Sequence, residues 1–267
     1  MKKEKVTVKT FYQMKKSGEK IVCLTAYDFF TAKILDEIGI DCILVGDSAN
    51  MVFYGYKTTL SIGMEQMVYH TKAVSSAVKR ALVIADMPFL SYQTRISDAI
   101  YNAGRFLKEG GAEGVKIEGG LEMVETIKKI IEVGIPVMGH IGLIPQSIHQ
   151  FGGYSVQGKD EKKRKYLLES AEKLEEIGCF SIVLESMPKD LGREISESIK
   201  IPTIGIGAGP DCDGQILVVN DILGLFEEFK PKFVRRYAEL GKEIRRACER
   251  YREDVKSKRF PSEEESY

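Results

Sequence analysis

The sequence predicts a (β/α)8 TIM barrel in a single domain. Three observations point there. Eight short apolar runs recur along the 267 residues. Most are apolar on both alternating faces, as parallel strands covered by helices must be. Amphipathic stretches of helical length separate them, within about 250 residues, the usual size of such a barrel. A doubly wound open sheet is the other architecture that fits this alternation.

The runs, in order, are "IVCLTAY" (21–27), "CILVGD" (42–47), "LVIADMP" (82–88), "GVKIEG" (114–119), "PVMGHIG" (136–142), "SIVLES" (181–186), "PTIGIGAG" (202–209) and "QILVVND" (215–221). Between them, "FFTAKILDEIG" (29–39) ends in Gly39, placed to stop a helix. "SDAIYNAGRFLKEGG" (97–111) opens on Ser97 as a candidate cap and stops at paired glycines. "LEMVETIKKIIEVG" (121–134) and "KKRKYLLESAEKLEEIG" (162–178) each end in glycine just before a strand. The link 208–230 shows no clear helix, so closure of the barrel is an expectation. Residues 231–258 predict a charged helix from Pro231, with Phe233, Tyr237, Leu240 and Ile244 at helical spacing. "RFPSEEESY" (259–267) has the composition of a loose tail. The expected division is a barrel with its C-terminal helix over 1–250 and a charged helix end and tail over 251–267.

Composition narrows the function. Formal net charge is zero, which excludes a basic nucleic-acid surface or polybasic membrane patch. No apolar run reaches the roughly 18 residues of a membrane span. The charged start "MKKEKVTVKTFYQMKKSGEK" lacks the apolar core of a signal peptide. The five cysteines are scattered with no CxxC, as expected of reduced, mostly core thiols in a cytoplasmic protein.

Catalytic residues of such barrels gather at the C-terminal ends of the strands. Run two ends in Asp47-Ser48 and run three in Asp86. Run four carries Lys116 and Glu118, run five His140, and run six ends in Glu185. Each has a structural alternative: turn caps for Asp47 and Asp86, an interior ion pair for Lys116 and Glu118, a core hydrogen bond for His140, a helix-end charge for Glu185. Their shared place on one rim favours a site. Three carboxylates without thiolate partners suit a hard cation such as Mg²⁺, and no His/Cys spacing suits zinc. His70 falls inside a predicted helix, as a structural residue. His149, on a loop, is a candidate pocket residue. "GIGAGPDCDGQ" (205–215) is neither a GxGxxG fingerprint nor a P-loop. It reads as tight strand packing, with some part in lining the pocket.

Seven segments together resemble the ketopantoate hydroxymethyltransferase family: "VGDSANMVFYGYKTTLSIGMEQMVYHTKAV", "ADMPFLSY", "VKIEGG", "VMGHIGLIPQS", "GGYSVQG", "IVLESMP" and "IPTIGIGAGPDCDGQILVVNDILGL". The similarity runs in order from about residue 5 to about 240. Ala49-Asn50 and Ser186-Met187 depart from the usual family residues there, beside the site residues rather than on them. The resemblance implies a barrel of the phosphoenolpyruvate/pyruvate type. It implies Mg²⁺-dependent transfer of a hydroxymethyl group from 5,10-methylenetetrahydrofolate to 3-methyl-2-oxobutanoate, giving 2-dehydropantoate for pantothenate synthesis. It also implies a cytoplasmic homo-oligomer, commonly a decamer. On this basis Asp47, Asp86 and Glu118 are the expected metal ligands, and Asp47, Ser48, Asp86 and Lys116 the expected substrate contacts. Glu185 is the expected base. Lys116 stabilises the enolate, and His140 orients substrate or shuttles protons. A carbon–carbon lyase of the same barrel type and a non-catalytic metabolite-binding barrel are the alternative readings.

Overall fold

Eight parallel strands close into a barrel in the computed structural model, which describes residues 4–226 and 230–267. Residues 1–3 of the charged start and 227–229 of the link 208–230 lie outside the described residues. The strands are β1 (Ile21–Thr25), β2 (Cys42–Val45), β3 (Leu82–Asp86), β4 (Gly114–Glu118), β5 (Val137–Gly142), β6 (Ser181–Glu185), β7 (Thr203–Ile206) and β8 (Gly214–Leu217). Each pairs with its sequence neighbours, and β8 returns to β1 with Cys23 opposite Ile216. The chain divides into two compact units, one running to Val218 and one from Val219.

Helices follow the strands because most strands are apolar on both faces and need cover outside as well as inside. The expected stop at Gly39 is present: helix Phe29–Ile38 ends on it, with φ of 91°. The expected Ser97 cap is not. Helix Ile96–Lys108 starts one residue earlier, with Arg95 at the cap position and no side-chain cap bond. β7 and β8 are joined by residues 207–213 without a helix. There glycine answers a close approach: a Cβ at Gly214 would lie 2.5 Å from the Ile21 carbonyl oxygen. This supports the strand-packing reading of the glycine-rich stretch.

Inside the barrel, alternate residues form one apolar cluster that includes Ile21, Cys23, Cys42, Leu44, Leu82, Ile84, Met138, Val183, Ile204 and Ile216. A helix that the sequence pattern left unassigned, Val8–Ser17, adds Phe11 and Met14 to it. Thr7 starts this helix through a reciprocal capping box with Thr10, and Gly18 ends it at φ of 75°. Val115 and Ile117 of β4 are fully buried. They alternate with Lys116 and Glu118, so the two charged residues project inward while the two apolar ones meet the helix layer.

The second unit corrects one expectation. Its long helix is Leu240–Lys256, not 231–258. The residues before it direct their backbone N–H groups elsewhere: Tyr237 and Ala238 donate to the Ile222 carbonyl, Leu240 to that of Leu223. Those bonds take up donors that a helix from Pro231 would need. Residues 259–267 are exposed throughout; Arg259 pairs with Asp254, the Phe260 and Tyr251 rings meet edge-on with centroids 5.4 Å apart, and Ser262 caps a short 3₁₀ turn.

Candidate active site

Strand register assembles the site. Lys116 lies opposite Asp86 across β3 and β4, and Glu118 lies opposite His140 across β4 and β5. Glu185 closes β6, opposite Gly142. Because neighbours in register project to the same side, these groups converge inside the C-terminal end of the barrel. Lys116 Nζ is 2.9 Å from Asp86 Oδ1, 3.0 Å from His140 Nδ1 and 3.7 Å from Glu118 Oε1. On its other side, His140 Nε2 lies 3.2 Å from Glu185 Oε2. The Asp47 N–H donates to Asp86 Oδ2 at 3.2 Å. Asp47, Asp86, Lys116, Glu118 and His140 are all buried, while the Glu185 side chain keeps 14% of its surface.

Ser48 follows Asp47, and its hydroxyl is 2.8 Å from the Tyr27 phenol. Gly46 permits this, since a Cβ there would meet Ser48 Oγ at 2.7 Å. His70 is structural, as expected: Nδ1 lies 2.7 Å from the Tyr27 carbonyl oxygen and Nε2 3.0 Å from the Tyr54 hydroxyl. His149 is exposed and lies outside the cleft beside the site, and residues 205–215 do not line that cleft either.

Burial and mutual repulsion dominate the electrostatics. Desolvation raises the pKa of Asp47 well above the usual carboxylate range, with Asp86 and Glu118 adding to it. Burial also raises Asp86 and Glu118, against the opposing pull of Lys116. Burial alone would lower Lys116, but Asp86, Glu118 and Asp47 overcome it and hold the ammonium charged. Desolvation and the neighbouring Lys116 charge lower His140, so its ring is neutral. A protonated Lys116 needs Nδ1 as acceptor, which puts the ring proton on Nε2, toward Glu185.

The carboxylates Asp47, Asp86 and Glu118 each bring one oxygen within 4.8 Å of the others. With all three ionised, one ammonium leaves a formal charge of about −2 in a buried space, which a divalent cation would neutralise. Asp86 Oδ1 and Glu118 Oε1 are buried and share the single Lys116 ammonium, at 2.9 and 3.7 Å, without a well-directed hydrogen bond. Buried carboxylates that share one cation are costly unless a further positive charge meets them. An all-oxygen donor set of this kind fits a hard divalent ion.

The sequence pattern missed Gln146. Its N–H donates to Glu118 Oε2 at 2.9 Å, and its Nε2 to Asp47 Oδ2 and the Met87 carbonyl, each at 2.9 Å. Its Oε1 accepts from Tyr92, whose hydroxyl is 2.8 Å away. One buried residue therefore ties two of the three acidic groups together, through its backbone N–H to Glu118 and its carboxamide to Asp47. Its sequence signal was slight: a polar residue after Pro145, just past the apolar "MGHIGLIP".

Fold and site together define a (β/α)8 barrel that carries, inside the C-terminal ends of its strands, an acidic cluster suited to a metal. A solved structure of 2,3-dimethylmalate lyase, itself a member of the PEP mutase/isocitrate lyase superfamily, superposes with a TM-score of 0.61 at 14% identity, over 97% of this chain and 91% of the other. Phosphonopyruvate hydrolase in complex with oxalate and Mg²⁺ gives 0.60 at 16%, over 97% and 92%. The family model for ketopantoate hydroxymethyltransferase matches residues 5–263. A 3-methyl-2-oxobutanoate hydroxymethyltransferase of Clostridium botulinum (strain 657 / Type Ba4) is 57% identical over 261 residues, 98% of this chain and 95% of the relative. One of Syntrophus aciditrophicus (strain SB) is 51% identical over 100% and 98%. The chain belongs to the ketopantoate hydroxymethyltransferase family, and it is a transferase. No helix among the described residues is long and apolar enough to cross a membrane.

Proposed function

We propose that this enzyme transfers the one-carbon unit of 5,10-methylenetetrahydrofolate to C3 of 3-methyl-2-oxobutanoate, giving 2-dehydropantoate for pantothenate biosynthesis. The observation that carries this is the buried meeting of three carboxylates with Lys116, one imidazole away from Glu185. The printed names of relatives above 50% identity support the same reaction.

Mg²⁺ held by Asp47, Asp86 and Glu118 would polarise the 2-oxo group and lower the barrier to losing the neighbouring proton. The site of the oxalate–Mg²⁺ complex of phosphonopyruvate hydrolase, on the same fold, makes that metal the natural choice. Glu185 takes the C3 proton on Oε2, and the C–H electron pair becomes the enolate. Lys116 sets a fixed positive charge beside the developing oxyanion. Ser48, steadied by Tyr27, donates to the substrate carboxylate. The Nε2–H of His140 faces Glu185, stabilises its carboxylate before transfer and orients it. Water adds to the donor's methylene carbon as both C–N bonds break, and N5 and N10 take up its protons, which frees tetrahydrofolate and leaves the one-carbon unit as formaldehyde; the enolate carbon then bonds to that carbon, and the alkoxide formed takes back the proton held by Glu185.

In this reading the protein is cytoplasmic and a homo-oligomer, a decamer by family resemblance; the four buried cysteines are free thiols, which suits a reducing compartment. Native mass measurement checks the assembly. Glu185→Gln tests the chemistry. Exchange of the C3 proton of 3-methyl-2-oxobutanoate with deuterated solvent is expected to fall about 10²- to 10⁴-fold, with the oxo acid still bound. Near-normal exchange would remove Glu185 as the base.

A further inference from the structure

A cleft of about 530 Å³ opens directly off the acidic cluster and plays no part in the proton-transfer machinery described above. That volume is in the range of sites for drug-sized ligands. Its inner end is formed by Glu118 and Gln146, both buried, which are also the residues that face Asp47. From there it runs outward between the loop after β3, the loops after β4 and β5, and the first turns of helix Glu161–Glu176.

The walls have a consistent chemistry. Phe89, Met123, Ile144 and Phe151 supply apolar and aromatic surface. Phe89 is 37% exposed, an aromatic ring left open to solvent at the edge of the cleft. The carboxamides of Gln93 and Gln150 join them, groups that can both donate to and accept from the edge of a nitrogen heterocycle. Glu122 also lines the cleft, but it is engaged: Oε1 accepts from the Gly120 N–H at 2.9 Å and Oε2 from the Tyr166 hydroxyl. Gly120 lets that wall close, since a Cβ there would meet Ser170 Oγ and the Tyr166 hydroxyl. Exposed Lys163 supplies a cation. Its neighbours Arg164 and Lys165 are paired with carboxylates, whereas Lys163 enters no ion pair among the described residues.

We infer that this cleft holds a nitrogen heterocycle joined to an aryl ring with an anionic tail: the heterocycle and the one-carbon bridge beside it lie toward Glu118 and Gln146, the aryl ring between Phe89 and Phe151, and the tail carboxylate at Lys163. This rests on the proposed function and assigns the cleft to the folate donor. The oxo acid is too small to need the space, and the carbon it receives must arrive beside the acidic cluster. A donor seated here has its bridging methylene beside the cluster and its charged end toward solvent.

The probe is 5-formyltetrahydrofolate, titrated into the intact enzyme with 3-methyl-2-oxobutanoate and Mg²⁺ present. Lys163→Glu and Phe151→Ala are each expected to weaken its binding about tenfold or more and to raise the KM for methylenetetrahydrofolate more than that for the oxo acid. Lys128→Glu, a charge reversal outside the cleft, is expected to bind the probe as wild type does. Wild-type protein gives a second test that needs no variant: folate activated as its hydroxysuccinimide ester is expected to acylate Lys163, identified by mass spectrometry of the peptides. Undiminished probe binding in both cleft variants, or labelling confined to lysines away from the cleft, would overturn the assignment of the cleft alone. Wild-type enzyme that exchanges the C3 proton yet neither binds the probe nor accepts methylenetetrahydrofolate would overturn the donor reading itself, and the cleft assignment with it.

Discussion

The two ends of the barrel use the same inward-facing strand positions for opposite purposes. At the N-terminal end, Phe11 and Met14 of helix Val8–Ser17 complete an apolar plug with Val6, Ile21, Leu82 and Phe180, and the Phe11 and Phe180 rings meet edge to face at 5.7 Å. Charge there is confined to the margin: Lys15 Nζ bonds the Ser196 and Ile201 carbonyls and Asp213. At the C-terminal end, Asp86, Lys116, Glu118 and His140 occupy equivalent interior positions and are equally buried. The plug stabilises the fold by burial of apolar area. The charged end holds like charges together without water and leaves two carboxylate oxygens poorly satisfied. A barrel can carry such a site because its opposite end is packed well enough to offset it.

That contrast can be broken or sharpened by substitution. The largest effect is expected at the plug. Phe11→Ala removes a fully buried ring and should lower stability by about 3–5 kcal/mol, measured by denaturant unfolding. Substrate KM should hold at temperatures where the variant is folded; a loss of under about 1 kcal/mol would mean that the helix contributes little to closing the barrel. Next comes Gln146→Leu at the charged end. It removes the side-chain bond to Asp47 while preserving volume, and divalent-metal affinity, measured by titration calorimetry, should drop about 10- to 100-fold. An unchanged affinity would show that Asp47 holds its place without the amide.

The smallest effect has the opposite sign. Asp47→Asn removes one of three buried like charges and should stabilise the metal-free enzyme by about 1 kcal/mol, a rise of roughly 2–4 °C in Tm. The pH dependence follows from the same group. Its folded pKa lies above its unfolded value. Between those two values the folded state binds more protons, so metal-free stability falls as pH rises from about 4 through the folded pKa. The variant should lack that part of the decline. Equal slopes for wild type and variant would show that Asp47 is not a source of strain.

Much of the barrel was legible because its signal is local. Eight apolar runs and the glycines that end helices are properties of neighbouring residues, and so are polar residues that close apolar runs. Asp47, Asp86, Glu118 and Glu185 could therefore be placed on one rim without coordinates. Lys116 and Glu118 were assigned to one face because a strand alternates with period two. Helix Val8–Ser17 was not legible: only Phe11 and Met14 of its ten residues are buried, and their partners lie far along the chain. The start of helix Leu240–Lys256 was misplaced because residues 237–240 find backbone acceptors at 222 and 223, a competition that helical periodicity does not express.

By itself, then, the sequence determined the order of strands and helices, the rim on which the polar residues gather, and the family motifs they compose. Tertiary structure decided what each polar atom meets. Register set Lys116 against Asp86 and placed His140 between Lys116 and Glu185. Folding of the loop after β5 brought Gln146 across 99 positions of chain to Asp47. The same loops left a cleft beside the cluster, lined by Lys163, which enters no ion pair among the described residues. The division has one physical cause: alternation and capping act between residues a few positions apart, whereas a buried carboxylate is satisfied by whichever groups closure of the barrel delivers to it.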